Sequence, residues 1–215
     1  MGGLPGATKP GTALESPVSI DGHPDSTTSS TVPLDSDRRQ QVVQFLQAHG
    51  AHEIAHLNGP LLDHLERTEL LLRRWGCSEM VSMAGLCHAA YGTDGFPTAF
   101  LTLEERGVLS GVAGADVEAL VYLYACCDRG FAYPRISEGR MDFRDRFTGR
   151  TFLPAEGELR DFIDLTLANE SDVGLIGTIT GEPPEWLLTM FNHFQHLASA
   201  SVREGFDRLT SASGR

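Results

Sequence analysis

Residues 60–92 read PLLDHLERTELLLRRWGCSEMVSMAGLCHAAYG, and two amphipathic helices joined by one break account for the order of these side chains. In the first half, Leu61, His64, Leu65, Thr68, Leu71, Leu72 and Trp75 recur at intervals of three and four, while Glu66, Arg67, Arg73 and Arg74 fall elsewhere. That is the pattern of a helix with one inward stripe. Gly76 suits the C-terminus of this helix and Ser78 the N-cap of the next. Val81, Ala84, Gly85, His88 and Tyr91 then share a face until Gly92 breaks it. His64 and His88 therefore both point inward, on consecutive helices.

Two imidazoles so placed can meet across a helix pair and share a metal ion. The small residues Ala84 and Gly85, one turn before His88, let the two backbones approach closely. Tyr91-Gly92-Thr93-Asp94 returns polar groups toward the same region, which makes Asp94 a candidate ligand or base. The competing reading is that each histidine is a core residue bonded to a backbone carbonyl.

Outward from this stretch the chain reads as mainly α. Before it, Val42, Val43, Phe45 and Leu46 mark a helix from about Asp37 that stops at Gly50. Residues 1–35 are rich in Gly, Pro, Ser and Thr with few bulky apolar side chains, the composition of a disordered N-terminal tail. After it, Asp116 to Cys127 is almost wholly apolar and predicts a helix at the centre of the core. Met141, Phe143 and Phe152 alternate around Thr148-Gly149-Arg150 and read as a small β-hairpin or a structured loop. Glu156 to Ser171 has helical spacing, and Pro183-Pro184 opens a last helix running to about Leu209. The expected architecture is one helical domain over residues 36–213.

Composition narrows the function. A net charge of −12 excludes the basic face that a nucleic-acid binder needs, so a small soluble substrate fits better. No apolar run long enough to span a membrane and no secretory leader pattern occur, which predicts a cytoplasmic protein. Cys77, Cys87, Cys126 and Cys127 lack zinc-knuckle and Cys-x-x-Cys spacing and read as reduced and mostly buried. His193 and His196 share a stretch with Phe191 and Phe194 and read as solvated or packing residues. Arg135, Arg140, Arg144, Arg146 and Arg150 cluster around the hairpin, either as an anion-binding face or, with Asp142 and Asp145, as a solvated one.

Leu62-Asp63-His64-Leu65, Trp75-Gly76, Ala84-Gly85-Leu86-Cys87-His88 and Tyr91-Gly92-Thr93 resemble an uncharacterised domain family akin to the HD superfamily, over roughly residues 45–200. The resemblance implies an HD-like helical bundle and a divalent metal ion, iron, manganese or zinc. In HD proteins a first-helix His, a later His-Asp pair and a distant Asp hold the metal. Most members hydrolyse phosphate esters, and some di-iron members are oxygenases. His64 and His88 match the two histidines, but Ala89 stands where the pair's aspartate belongs and Asn169 where the last one belongs. His56 resembles a histidine that recurs in the family motif, and Glu170, Asp172, Asp94 or His56 would have to replace the lost carboxylates as ligands.

The expected function is a metal-dependent hydrolase or oxygenase acting on a small metabolite, with His64, His88 and Asp94 catalytic and His56, His64, His88, Asn169 and Glu170 around the metal. In the hydrolase, Asp94 or Glu170 would act as general base on a metal-polarised water. The alternatives are a non-catalytic HD-like module that binds a ligand or partner, and a metal-free enzyme using His64 or His88 as general acid or base.

Overall fold

A computed structural model describes residues 35–57, 59–176 and 182–212. The fold is mainly helical with two small antiparallel sheets. The expected N-terminal tail lies outside the described residues except for Asp35, with which α1 (Asp35–Ala48) opens. A ribbon of β1 (Ala55–His56) and β2 (Gly59–Pro60) follows, pairing His56 with Gly59. It runs directly into α2 (Leu61–Trp75).

Of the inward stripe that the spacing predicts for α2, Leu61, His64, Leu65, Thr68, Leu72 and Trp75 are buried and Leu71 is half-buried. Gly76 ends the helix with φ at +81°, and the amide of Cys77 reaches back to the carbonyl of Leu72 at 3.0 Å. This left-handed closure, open to glycine at no steric cost, turns the chain straight into the next helix. Ser78 caps α3 (Glu79–Cys87) by accepting from the amide of Val81. The close approach of α2 and α3 rests on Gly85, where an added Cβ would stand 2.5 Å from Leu72 Cδ1.

α3 is shorter than its inward face suggests, because it ends at Cys87 and not near Gly92. The cause is His88 itself, whose Nδ1 bonds the carbonyl of Gly85 at 2.7 Å in the C-cap position. Two tight turns follow, Ala90 onto Cys87 and Gly92 onto Ala89. Gly92 has φ at +67°, and a Cβ there would lie 2.7 Å from the Pro97 carbonyl oxygen. Thr93 and Phe96 then close a loop through their backbone groups.

Beyond a 3-10 turn (Leu103–Glu105) come α4 (Arg106–Ala113), the apolar α5 (Ala115–Cys126) and α6 (Arg129–Ser137). The expected hairpin is present as β3 (Phe143–Arg144) and β4 (Thr151–Phe152), with Phe143 opposite Phe152. α7 (Glu156–Ile176) runs past the expected end at Ser171.

The last helix, expected as one rod from Pro184 to about Leu209, is two: α8 (Glu185–Phe194) and α9 (Ala200–Ala212). The break has a local cause, since Ser199 Oγ accepts from the amide of Val202 and the Ser199 amide donates to buried Asp164. It folds α9 back so that Phe191 and Phe206 stack at 3.9 Å, burying both rings. α2 packs on α3, α7 and α9, and α3 packs on α5 and α7. The site lies where α2, α3 and α7 meet.

Candidate functional site

His64 from the middle of α2 and His88 from the end of α3 do meet. Their Nε2 atoms stand 3.3 Å apart, and each residue is only 2% exposed. α7 brings a third group, Asn169, whose Oδ1 lies 3.0 Å from His64 Nε2. The Asn169 amide nitrogen donates to Glu170 Oε1, which fixes the oxygen toward the histidines. One turn on, Asp172 stands behind His64, its Oδ2 2.7 Å from Nδ1. Arg67 grips the same carboxylate through Nε at 2.8 Å and Nη2 at 3.1 Å.

Proton positions follow from these partners. A backbone carbonyl only accepts, so the Nδ1 facing Gly85 carries the proton of His88. Burial, with the charges of His64 and Arg129, pushes His88 down to about 3, so the ring is neutral and its Nε2 is a lone pair. Burial alone would raise the carboxyl of Asp172, but the hydrogen bonds from His64 and Arg67 outweigh it and hold it below its ordinary value. An ionised Asp172 also only accepts, so His64 Nδ1 carries a proton too. His64 Nε2 thus faces two acceptors, His88 Nε2 and Asn169 Oδ1. A proton on His64 Nε2, or a shared cation, would satisfy these three atoms together.

The reading of each histidine as a core residue bonded to a carbonyl describes only half of His88. Its Nδ1 is satisfied in that way, while its Nε2 is turned into a cavity of about 440 Å³. Leu61, Phe96 and Val173 give this cavity apolar walls, and Thr93, Arg129 and Glu170 give it polar ones. His56 also lines it, 4.6 Å from the His64 ring and 4.7 Å from that of Phe96. His56 Nε2 is buried without a hydrogen-bond partner, and burial followed by the charge of His64 lowers the pKa of the ring.

The structure thus brings His56, His64, His88, Asn169 and Glu170 to one cavity. Asp94 is elsewhere: it is exposed, and its Oδ2 accepts from the backbone amide of Arg129 at 2.8 Å. Asp172, weighed as a replacement ligand, orients His64 from behind. Glu170 Oε1 accepts from Arg129 and Asn169, while Oε2 has no hydrogen bond among the described residues.

Sequence reasoning missed Arg129, the cation of this cavity, whose Nη2 also donates to the hydroxyl of Tyr124. The hairpin arginines, read as either an anion-binding or a solvated face, do not line this cavity, and four of the five are engaged elsewhere: Arg135 and Arg140 with Asp142, Arg144 with Asp128, and Arg146 with the carbonyl of Ala125. The one signal for Arg129 was its place just after the apolar helix α5. His193 and His196 are exposed. All four cysteines are free, three of them buried, and burial pushes the thiols of Cys87 and Cys126 up to about 12.

For a metal ion the donors would be His64 Nε2, His88 Nε2 and Asn169 Oδ1. Two nitrogens each about 2.0–2.1 Å from one tetrahedral ion are roughly 3.3 Å apart, the separation found here. The Nδ1 of each ring is held by a carbonyl or carboxylate, as metal-bound imidazoles require. The unpartnered His56 Nε2 faces the same cavity. Among the described residues no three His, Cys, Asp or Glu side chains are grouped to hold a metal, so the amide oxygen of Asn169 is integral to the set. With it, the residues fit.

No curated protein and no solved structure matches the chain. Residues 45–129, less than half of the chain but including His56, His64, His88 and Arg129, match the family model of a domain of unknown function (DUF6817), a description that carries no link to the HD superfamily.

Proposed function

We propose that this protein is a metal-dependent enzyme acting on a small soluble metabolite, with His64, His88 and Asn169 as the metal-holding set. One observation carries the reading: two buried acceptor atoms, His88 Nε2 and Asn169 Oδ1, stand within 3.3 Å of His64 Nε2, and the far nitrogen of each imidazole is fixed by its own partner. Three acceptors turned on one another repel unless a positive charge joins them. The resemblance of the histidine motifs to the HD superfamily supports the same reading.

When bound, a divalent ion supplies Lewis-acid polarisation for a hydrolase, or redox chemistry for an oxygenase if it is iron. The chain's own residues do the rest. Asp172 and Arg67 fix the His64 ring, and Gly85 fixes that of His88. Glu170 Oε2, free and on the cavity wall, is the candidate general base in place of Asp94.

A second reading has an observation in its favour: the gap among the three acceptors also fits a proton on His64 Nε2, donated toward Asn169 Oδ1 at 3.0 Å. His64 would then act as a metal-free acid backed by Asp172. Metal content decides between the two. We expect elemental mass spectrometry to find about one iron, manganese or zinc per chain, lost in His64→Ala and His88→Ala variants that keep their circular dichroism. No metal after reconstitution, with a rate profile indifferent to chelators, selects the histidine acid. Absence of both metal and turnover leaves a non-catalytic binding module.

A further inference from the structure

Arg129 opens α6 next to Asp128, which caps that helix by accepting from the amide of Phe131 at 2.9 Å. Its guanidinium side chain is 18% exposed and has five N–H groups to place. Two have partners, Nη1 with Glu170 Oε1 and Nη2 with Tyr124 OH, both at 2.9 Å. The Nε–H and a second N–H on each terminal nitrogen have no acceptor among the described residues. Gly95 leaves the approach open, since a Cβ there would lie 3.2 Å from Nη1. The same cavity holds a second unsatisfied group, the buried Nε2 of His56, with Leu61, Phe96 and Val173 as apolar walls.

We propose that the cavity takes a small amphipathic carboxylic acid, its carboxylate on the free N–H groups of Arg129 and a polar group at its other end on His56 Nε2. This rests on the reading of the cavity as a substrate site. A planar carboxylate matches the fork of a guanidinium and accepts two parallel N–H bonds. Glu170 already offsets the charge of Arg129, so the wall suits a monoanion better than a phosphate dianion. The apolar walls take the body of the acid, and His56 selects a hydroxyl or similar group at its end.

Saturation-transfer NMR on the full chain, with chelator present, tests this with 4-hydroxyphenylacetate and its neutral analogue 4-hydroxyphenylacetamide as probes. The acid is expected to bind at least about tenfold more tightly than the amide, and Arg129→Gln to remove that preference. His56→Phe is expected to weaken both probes alike. Should Arg129→Gln fail to fold, Arg129→Lys, which keeps the charge and loses the fork, is expected to retain only part of the preference. Equal binding of acid and amide, or no binding of either, overturns the proposal. So does displacement of the acid by inorganic phosphate at lower concentration than by acetate. Acid binding that appears only without chelator and survives Arg129→Gln places the carboxylate on a metal ion, overturning this proposal while upholding the metal-dependent reading. Binding that depends on Arg129 in a protein that takes up no metal does the reverse.

Discussion

Asp172 acts through His64. Its carboxylate holds the Nδ1 proton of the ring and is itself held by two nitrogens of Arg67, so the ring has one tautomer and one orientation. Asp172→Asn keeps the volume but removes the charge and frees the ring to turn. We expect this variant to fold and to bind metal about 10–100-fold more weakly in a chelator-competition titration. Unchanged affinity would show that His64 is oriented by packing alone. Inward spacing placed His64 and His88 correctly, because helical periodicity reports which face a residue occupies. It could not show Asp172 behind one imidazole or Arg129 beside the other, since both contacts join positions far apart in the chain. Asp94 shows the opposite error: its sequence neighbours Thr93 and Gly95 belong to the site region, yet its own carboxylate turns to the Arg129 amide.

At the scale of elements, the site depends on how closely α2 and α3 approach. Gly85 sets that approach against Leu72, so a methyl group there has to displace one helix or force the leucine from its rotamer. Gly85→Ala is expected to cost about 1–3 kcal/mol in urea unfolding and to reduce metal uptake in the protein that remains folded. A neutral effect on both would mean that Leu72 moves aside freely. Long amphipathic helices such as α2 were legible because their inward stripe repeats over several turns. The short ones were not: α4 contains two glycines, and α6 has Gly130 and Pro134 within nine residues, so neither carries a local helical signal. The two-residue strands β1 and β2 are too brief for an alternation to show. The split of α8 from α9 was readable only in Ser199, a capping residue inside an otherwise helical pattern.

For the whole molecule, the hairpin is tied to the core through Asp145. It accepts from Tyr122 OH at 2.9 Å and from the amides of Phe147 and Thr148 at 2.8 and 3.2 Å. Burial would raise its carboxyl, but these donors win and hold it below the ordinary value. A carboxylate depressed in the folded state contributes stability that is complete above the ordinary range. That stability is lost as pH falls below about 4 and through the lower folded value. Asp145→Asn is expected to cost about 1–3 kcal/mol at pH 7 and to flatten the acid limb of stability, as read from urea midpoints between pH 7 and 3. Parallel acid limbs would assign the hairpin's anchorage to Phe143 instead. One further consequence lies in how the cavity is assembled. Its floor, His64, His88 and Asn169, comes from helices that also build the core, whereas its rim is the short β1–β2 ribbon and the Thr93–Phe96 loop. Selectivity can therefore drift at the rim while the floor stays fixed, so two descendants of such a protein can part company over what they accept and still melt at the same temperature.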